Sequence, residues 1–73
     1  MRYLVVYEKG PGSYSAYSPD LPGCVAAATT LEETRQNMRG AIELHLAGLR
    51  EDGLPVPEGR GAGETGAEIV EVA

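Results

Sequence analysis

The chain has 73 residues, which allows one domain (residues 1–73) with a thin core. A net charge of −5, with acids spread from Glu8 to Glu71, argues against direct nucleic-acid binding, which depends on phosphate neutralisation by Lys and Arg, and it suits a basic protein partner. Cys24 is the only cysteine, so an internal disulfide and a thiolate zinc cage are excluded, and a small domain without such staples is expected to self-associate as a homo-oligomer.

The opening "MRYLVVYEKG" is too short an apolar run for a signal peptide or a membrane span. A cytoplasmic location with no membrane contact is therefore expected. Within it, "RYLVVYE" (Arg2 to Glu8) predicts a strand, with Tyr3, Val5 and Tyr7 on one face and Leu4 and Val6 on the other. Apolar residues on both faces mark a central strand. After the turn "KGPGS", Ser13 to Ser18 alternates: Tyr14 and Ala16 face one way, Ser13, Ser15 and Tyr17 the other. The corner "PDLPG" (Pro19 to Gly23) leads into "CVAAAT", a third strand of small residues. Three strands with short links predict an antiparallel meander.

Thr30 precedes an apolar-periodic run, and Glu33 follows three residues on. This is a capping-box spacing, in which each side chain satisfies the other's backbone N–H. The helix is predicted from Leu31 to Asp52, ending at Gly53 with Pro55 just beyond. Leu31, Thr34, Met38, Ala41, Ile42, His45 and Leu49 share one face, while Glu32, Gln36, Arg39, Glu43 and Arg50 face solvent. Residues 54–66 form a Pro- and Gly-rich connector, and "AEIVEV" (Ala67 to Val72) predicts a last strand. A strand–helix–strand crossover normally returns parallel and right-handed. The expected fold is α+β, in the order β-β-β-α-β: three antiparallel strands, one long helix, and a final strand beside the first and parallel to it.

Asp20, between two prolines, has the residue type of a catalytic acid, but Asp also favours turns because its side chain bonds nearby backbone N–H groups. Cys24 is a nucleophile only with a base and a stabilised thiolate. His45 is the sole histidine, and its helical position predicts burial toward the sheet with its polar tip at the core edge. A small buried Cys packing as a hydrophobe fits Cys24 better. One His without matching carboxylates supplies no metal site, and Glu32 and Glu33 suit the helix macrodipole. "GRGAGETG" lacks the Gly-Lys-Ser/Thr ending of a phosphate-cradling loop and leads toward a strand. No catalytic residue, metal or cofactor is expected. On the far side of the helix, Gly40, Leu44 and Ala47 line up among charged residues; this is either a chance alignment or a protein–protein contact surface.

The tyrosine-bearing strand, the corner Asp20-Leu21-Pro22-Gly23-Cys24, the small-residue strand, the Thr30/Glu33 helix start and the closing "GLPVPE" occur in that order. From about Tyr3 to Glu58 the chain resembles the N-terminal domain of the HicB family of antitoxins. The resemblance implies a partial ribonuclease-H-like two-layer fold, with the corner residues as structural motif positions. It does not imply nuclease activity, which needs several carboxylates converging on two metal ions. Proteins of this family neutralise HicA, a small basic toxin that cleaves mRNA, so the resemblance implies a HicA-like partner. Many members carry a second, DNA-binding domain. After Glu58 this sequence has only a connector and one predicted strand, so DNA binding is not expected of it. The leading expectation is an antitoxin-type protein-binding module; the alternative is a stand-alone homo-oligomeric interaction or regulatory domain. A hydrolase built on Asp20, Cys24 and His45 is the least favoured.

Overall fold

The computed structural model describes residues 1–59 and 67–72; most of the 54–66 connector, 60–66, lies outside the described residues. Its elements are β1 (Arg2–Gly10), β2 (Ser13–Tyr17), β3 (Val25–Ala28), α1 (Leu31–Glu51) and β4 (Ala67–Glu71). They form a sheet in the order β3-β2-β1-β4 with α1 packed over β3 and β2. The first strand is central, as its two apolar faces require. The third is shorter than "CVAAAT", because Cys24 belongs to the preceding turn.

Every strand pair is antiparallel, including β1 with β4, whose register runs from Arg2↔Glu71 to Val6↔Ala67. The final strand thus lies beside the first but not parallel to it. The reason lies in where the helix leaves the chain. At 21 residues, α1 is about 31 Å long by its rise of 1.5 Å per residue, and it ends near Met1, within reach of which Arg50 lies. A direct crossover would enter the sheet there and run parallel to β1. Instead Pro57 meets Tyr3, a Cβ on Gly59 would run into the Arg2 carbonyl, and the chain re-enters the sheet opposite Val6. The connector is long enough for that extra return, so the parallel rule for a single crossover does not apply. The ribonuclease-H-like arrangement expected with a parallel fourth strand is given no support by this antiparallel sheet.

Cross-strand partners in a sheet share a face. Tyr3, Val5, Ala16, Val70 and Val72 point toward the helix and join Leu21, Cys24, Met38, Ile42 and Leu46 in one core. From the helix, the fully buried positions are Thr34, Met38, Ile42 and Leu46. Steps of four residues turn 400°, so this row drifts about 40° per step and crosses the sheet obliquely. That drift brings Leu46, which the straight stripe omits, into the core and leaves His45 half-buried at its edge.

Both helix ends are capped by sequence-encoded chemistry. The Thr30 hydroxyl accepts the Glu33 amide (3.1 Å) and donates to the Glu33 carboxylate (3.1 Å). The capping box is therefore half as expected: the glutamate returns to the Thr30 hydroxyl rather than to its backbone N–H. At the other end Gly53 adopts φ +69°, which a residue without Cβ reaches at little cost. Its amide bonds to the Arg50 carbonyl, and the Leu54 amide to the Leu49 carbonyl (2.8 Å), a Schellman closure. Exchange of Thr30 for Ala is expected to cost about 1 kcal/mol, read as a lower midpoint of chemical denaturation with unchanged slope; an unchanged midpoint would contradict the cap.

Candidate functional site

The corner Ser18–Cys24 is built around the backbone of Leu4. The β1–β2 register pairs Val6 with Tyr17, so continuing the ladder would set Leu4 opposite Pro19, which has no N–H to give. The chain leaves the sheet here, and side chains take over. The Ser18 hydroxyl donates to the Leu4 carbonyl (2.7 Å), and the Asp20 carboxylate accepts the Leu4 amide (2.9 Å). Both groups of Leu4 are thereby satisfied in the interior, where an unmade bond is costly. Ser18, Asp20 and Leu4 are all nearly inaccessible.

Two successive turns hold these side chains in place. The Leu21 amide bonds to the Ser18 carbonyl (3.1 Å) and the Cys24 amide to the Leu21 carbonyl (3.0 Å). Pro19 and Pro22 occupy the second position of each turn, where the ring presets φ. Gly23 has φ +84° at the third position of Leu21-Pro22-Gly23-Cys24, which requires a residue tolerant of positive φ, as in a type II turn. The Ser18 amide closes the corner onto the Cys24 carbonyl (3.3 Å). Leu21 and Cys24 drop into the core while Pro22 and Gly23 stay outside. Each residue of the motif thus has a position in one structural device.

On the helix side of the sheet a second polar group surrounds Tyr7. Its hydroxyl donates to Glu68 of β4 (3.1 Å), Arg35 of α1 pairs with the same carboxylate (3.2 Å), and the Arg35 guanidinium stacks 5.6 Å from the Tyr7 ring. Burial, then the negative charge of Glu68, push the Tyr7 phenol up to about 12. Nearby, the Tyr3 hydroxyl donates to the Pro57 carbonyl (2.7 Å), tying the start of the connector to β1. Neither Tyr–Glu–Arg contact nor Tyr–carbonyl contact is signalled by any local motif, because the partners lie 61, 33 and 54 residues apart.

The three residues of the hydrolase reading are not assembled for chemistry. Asp20 is committed to Leu4. Burial raises the pKa of the Cys24 thiol, the wrong direction for a nucleophile. Among the described residues no hydrogen bond joins Cys24 to His45, and none of their acids, thiol and imidazole groups cluster as a metal site. Depressions of about 430 Å³ and 190 Å³ are lined by Met1, Arg2 and Glu58 and by Tyr7, Arg35 and Arg39 respectively; neither includes Asp20, Cys24 or His45. No described helix is long and apolar enough to cross a membrane.

Among the described residues, two surfaces carry exposed apolar side chains on the outside of the helix and of the sheet. Gly40, Leu44 and Ala47 are all exposed, with Leu44 75 % accessible, on the side of α1 away from the sheet. The sheet face away from the helix carries Leu4, Val6, Tyr17, Val25 and Ile69; Leu4 is buried and Val6 and Ile69 are half-buried, so its exposed part is Tyr17 and Val25, the latter 64 % accessible. Alternation marks the second surface in the sequence, but only the pairing shows that these five share one face.

Residues 3–68 match the model of the HicB-like antitoxins of bacterial toxin–antitoxin systems, and the chain belongs to that family. It is 38 % identical over 58 residues to an uncharacterised 14.9 kDa protein from the rep-hol intergenic region of Haemophilus phage HP1, covering 80 % of this chain and 44 % of that one. The chain therefore spans less than half the length of that relative. Its fold is similar to the N-terminal domain of the antitoxin HicB of Burkholderia pseudomallei, with TM-score 0.82 and 25 % identity over 100 % of this chain and 99 % of that one. It is also similar to a chain of a HicA3–HicB3 toxin–antitoxin complex, with TM-score 0.69 and 29 % identity over 80 % of this chain and 67 % of that one.

Exchange of Asp20 for Ala strands the Leu4 amide and is expected to cost about 1–3 kcal/mol in denaturant unfolding; a loss near zero would show that the carboxylate does not replace a strand. The Tyr7 phenol, followed by its ring-carbon NMR shifts, is expected to titrate near 12, above its ordinary 10.0. Because the folded value is raised, the stability it contributes is complete below about pH 10 and fades as pH rises through 12. A Tyr7 midpoint at the ordinary value would contradict the half-buried Glu68 contact.

Proposed function

We propose that this HicB-like antitoxin-family chain acts as a protein-binding module that neutralises a small basic, HicA-like, mRNA-cleaving toxin. Family membership over residues 3–68 carries the reading, and the likeness to a chain of a HicA3–HicB3 complex supports it. The net charge of −5 complements a basic partner, which mainly speeds encounter and sharpens specificity. In this reading the chain acts in the cytoplasm as one domain, is not an enzyme, and contacts the toxin rather than nucleic acid.

Gly40, Leu44 and Ala47 are the candidate contact. The small residues Gly40 and Ala47 let another backbone approach α1 closely, and Leu44 offers an apolar anchor between them. Asp20, Leu21, Pro22, Gly23 and Cys24 act indirectly, by holding the sheet on which α1 rests. A second reading is a stand-alone homo-oligomeric interaction or regulatory domain without a toxin. The exposed Tyr17 and Val25 on the sheet face away from the helix favour it.

An affinity pull-down of the tagged chain from its native cytosol, at low and moderate salt with mass-spectrometric readout, tests both. The toxin reading predicts a small basic protein whose capture weakens with salt, whose ribonuclease activity the purified chain inhibits, and whose capture falls at least tenfold on Leu44→Glu. Recovery of the chain alone would contradict it and favour the second reading.

A further inference from the structure

Where the flank of α1 meets β1 and β4, the depression of about 190 Å³ is lined by Tyr7, Arg35, Gln36, Arg39, Glu68 and Val70. Arg35 and Arg39 stand four residues apart on α1, so they leave one side of the helix on successive turns, about 5–6 Å apart at Cβ. Like charges at that spacing weaken a helix unless something neutralises them. Arg35 has Glu68 (3.2 Å). Among the described residues Arg39 has neither an ion pair nor a side-chain hydrogen bond, although Glu43 stands one turn further along α1.

The polar groups here divide unevenly. Both oxygens of the Glu68 carboxylate are engaged: Oε1 accepts the Tyr7 hydroxyl (3.1 Å), and Oε2 accepts Arg35 Nε (3.2 Å) and lies 3.2 Å from its Nη2. Arg35 Nη1, the whole Arg39 guanidinium and the Gln36 amide are left over, and apart from the Gln36 carbonyl these are donors. Two guanidiniums against one carboxylate make the depression locally positive in a chain of net charge −5. Val70 is buried and Tyr7 half-buried, so one wall is apolar and keeps water from that side, which strengthens charge-assisted bonds. Arg35 is also held in advance, by Glu68 and by its stacking 5.6 Å from the Tyr7 ring, so little ordering is left to do on binding.

We propose that this depression is an oxyanion site that takes one phosphate group, held between Arg39 and the remaining amino group of Arg35, with Gln36 as a further donor and Glu68 orienting Arg35. The size and the donors choose the ligand. The space is smaller than the roughly 300–1,000 Å³ of a drug-sized ligand site, so it admits a single compact group and not a whole nucleotide. A carboxylate presents two oxygens, which one guanidinium satisfies, as Arg35 does for Glu68. A second guanidinium one turn away supplies donors for the further oxygens that a phosphate carries. The group is either inorganic phosphate or the terminal phosphate of a phosphomonoester whose remainder stays outside. Arg35 and Arg39 lie about 180° and 140° around the helix axis from Leu44, so this site and the toxin-contact surface can fail separately.

The test is an NMR titration of the full chain with inorganic phosphate at constant ionic strength, following the Nε–Hε signals of Arg35 and Arg39 and the side-chain amide of Gln36. These signals are expected to shift together and to saturate, at a phosphate concentration at least tenfold below the acetate concentration that gives the same shift. Arg39→Gln, at an exposed position outside the core, should keep the helical circular dichroism and raise the apparent Kd for phosphate at least tenfold. Arg39→Lys, which keeps the charge without the fork, should fall between the two. Adenosine 5′-monophosphate separates the sources: half-saturation below that of phosphate assigns the site to phosphomonoesters, and half-saturation at or above it assigns the site to the free ion. Shifts that do not saturate, that acetate reproduces at the same concentration, or that persist unchanged in a folded Arg39→Gln chain would overturn the proposal.

Discussion

The structure turns on how the chain treats Leu4, a central-strand residue whose neighbour β2 departs before reaching it. A proline stands where the ladder would need a donor, and the two groups of Leu4 would be left unmade in the interior. Ser18 supplies the donor and Asp20 the acceptor, so the ladder ends on side chains instead of backbone. This frees the main chain to make two tight turns, drop Leu21 and Cys24 into the core, and begin β3 in register beside β2. Because α1 follows β3 after two residues, its row of Thr34, Met38, Ile42 and Leu46 is aimed by the same corner.

That constraint bears on function. The corner contains the residues that most suggest catalysis, yet its acid is occupied by a backbone amide and its thiol is disfavoured from ionising by burial. In the proposed reading, rigidity here supports two outer surfaces instead. One is the outer side of α1, smooth around Gly40 and Ala47 with Leu44 raised between them. The other is the sheet face away from the helix, where Tyr17 and Val25 are exposed. A small acidic domain whose corner polar groups are spent on its own backbone and which exposes Leu44 on one face and Tyr17 and Val25 on another is physically suited to binding proteins.

Much of this was legible in the sequence. The Thr30 cap, the helix end at Gly53 and the Pro-Gly turn at Pro22–Gly23 are local, set by side chains within a few residues of the backbone groups they serve. The first strand's central place followed from its two apolar faces. The direction of β4 was not legible, because it depends on where a long helix delivers the chain and on how the connector returns past Tyr3. Leu46 was missed because a fixed stripe ignores the 40° drift of a four-residue row, while His45 lies half-buried at the core edge. The motif residues could be read as structural, but not the particular task of Asp20: its partner lies sixteen residues upstream, and only the β1–β2 register shows that Pro19 would otherwise face Leu4.

The most direct measurement is the hydrogen-exchange rate of the Leu4 amide in the native protein, followed by NMR. With the Asp20 carboxylate in place of a strand carbonyl, Leu4 should exchange only through global unfolding, as slowly as the best-protected amides of β1. A Leu4 amide that exchanges as fast as those of the exposed connector, such as Glu58, would contradict the account and return Asp20 to the candidates for chemistry.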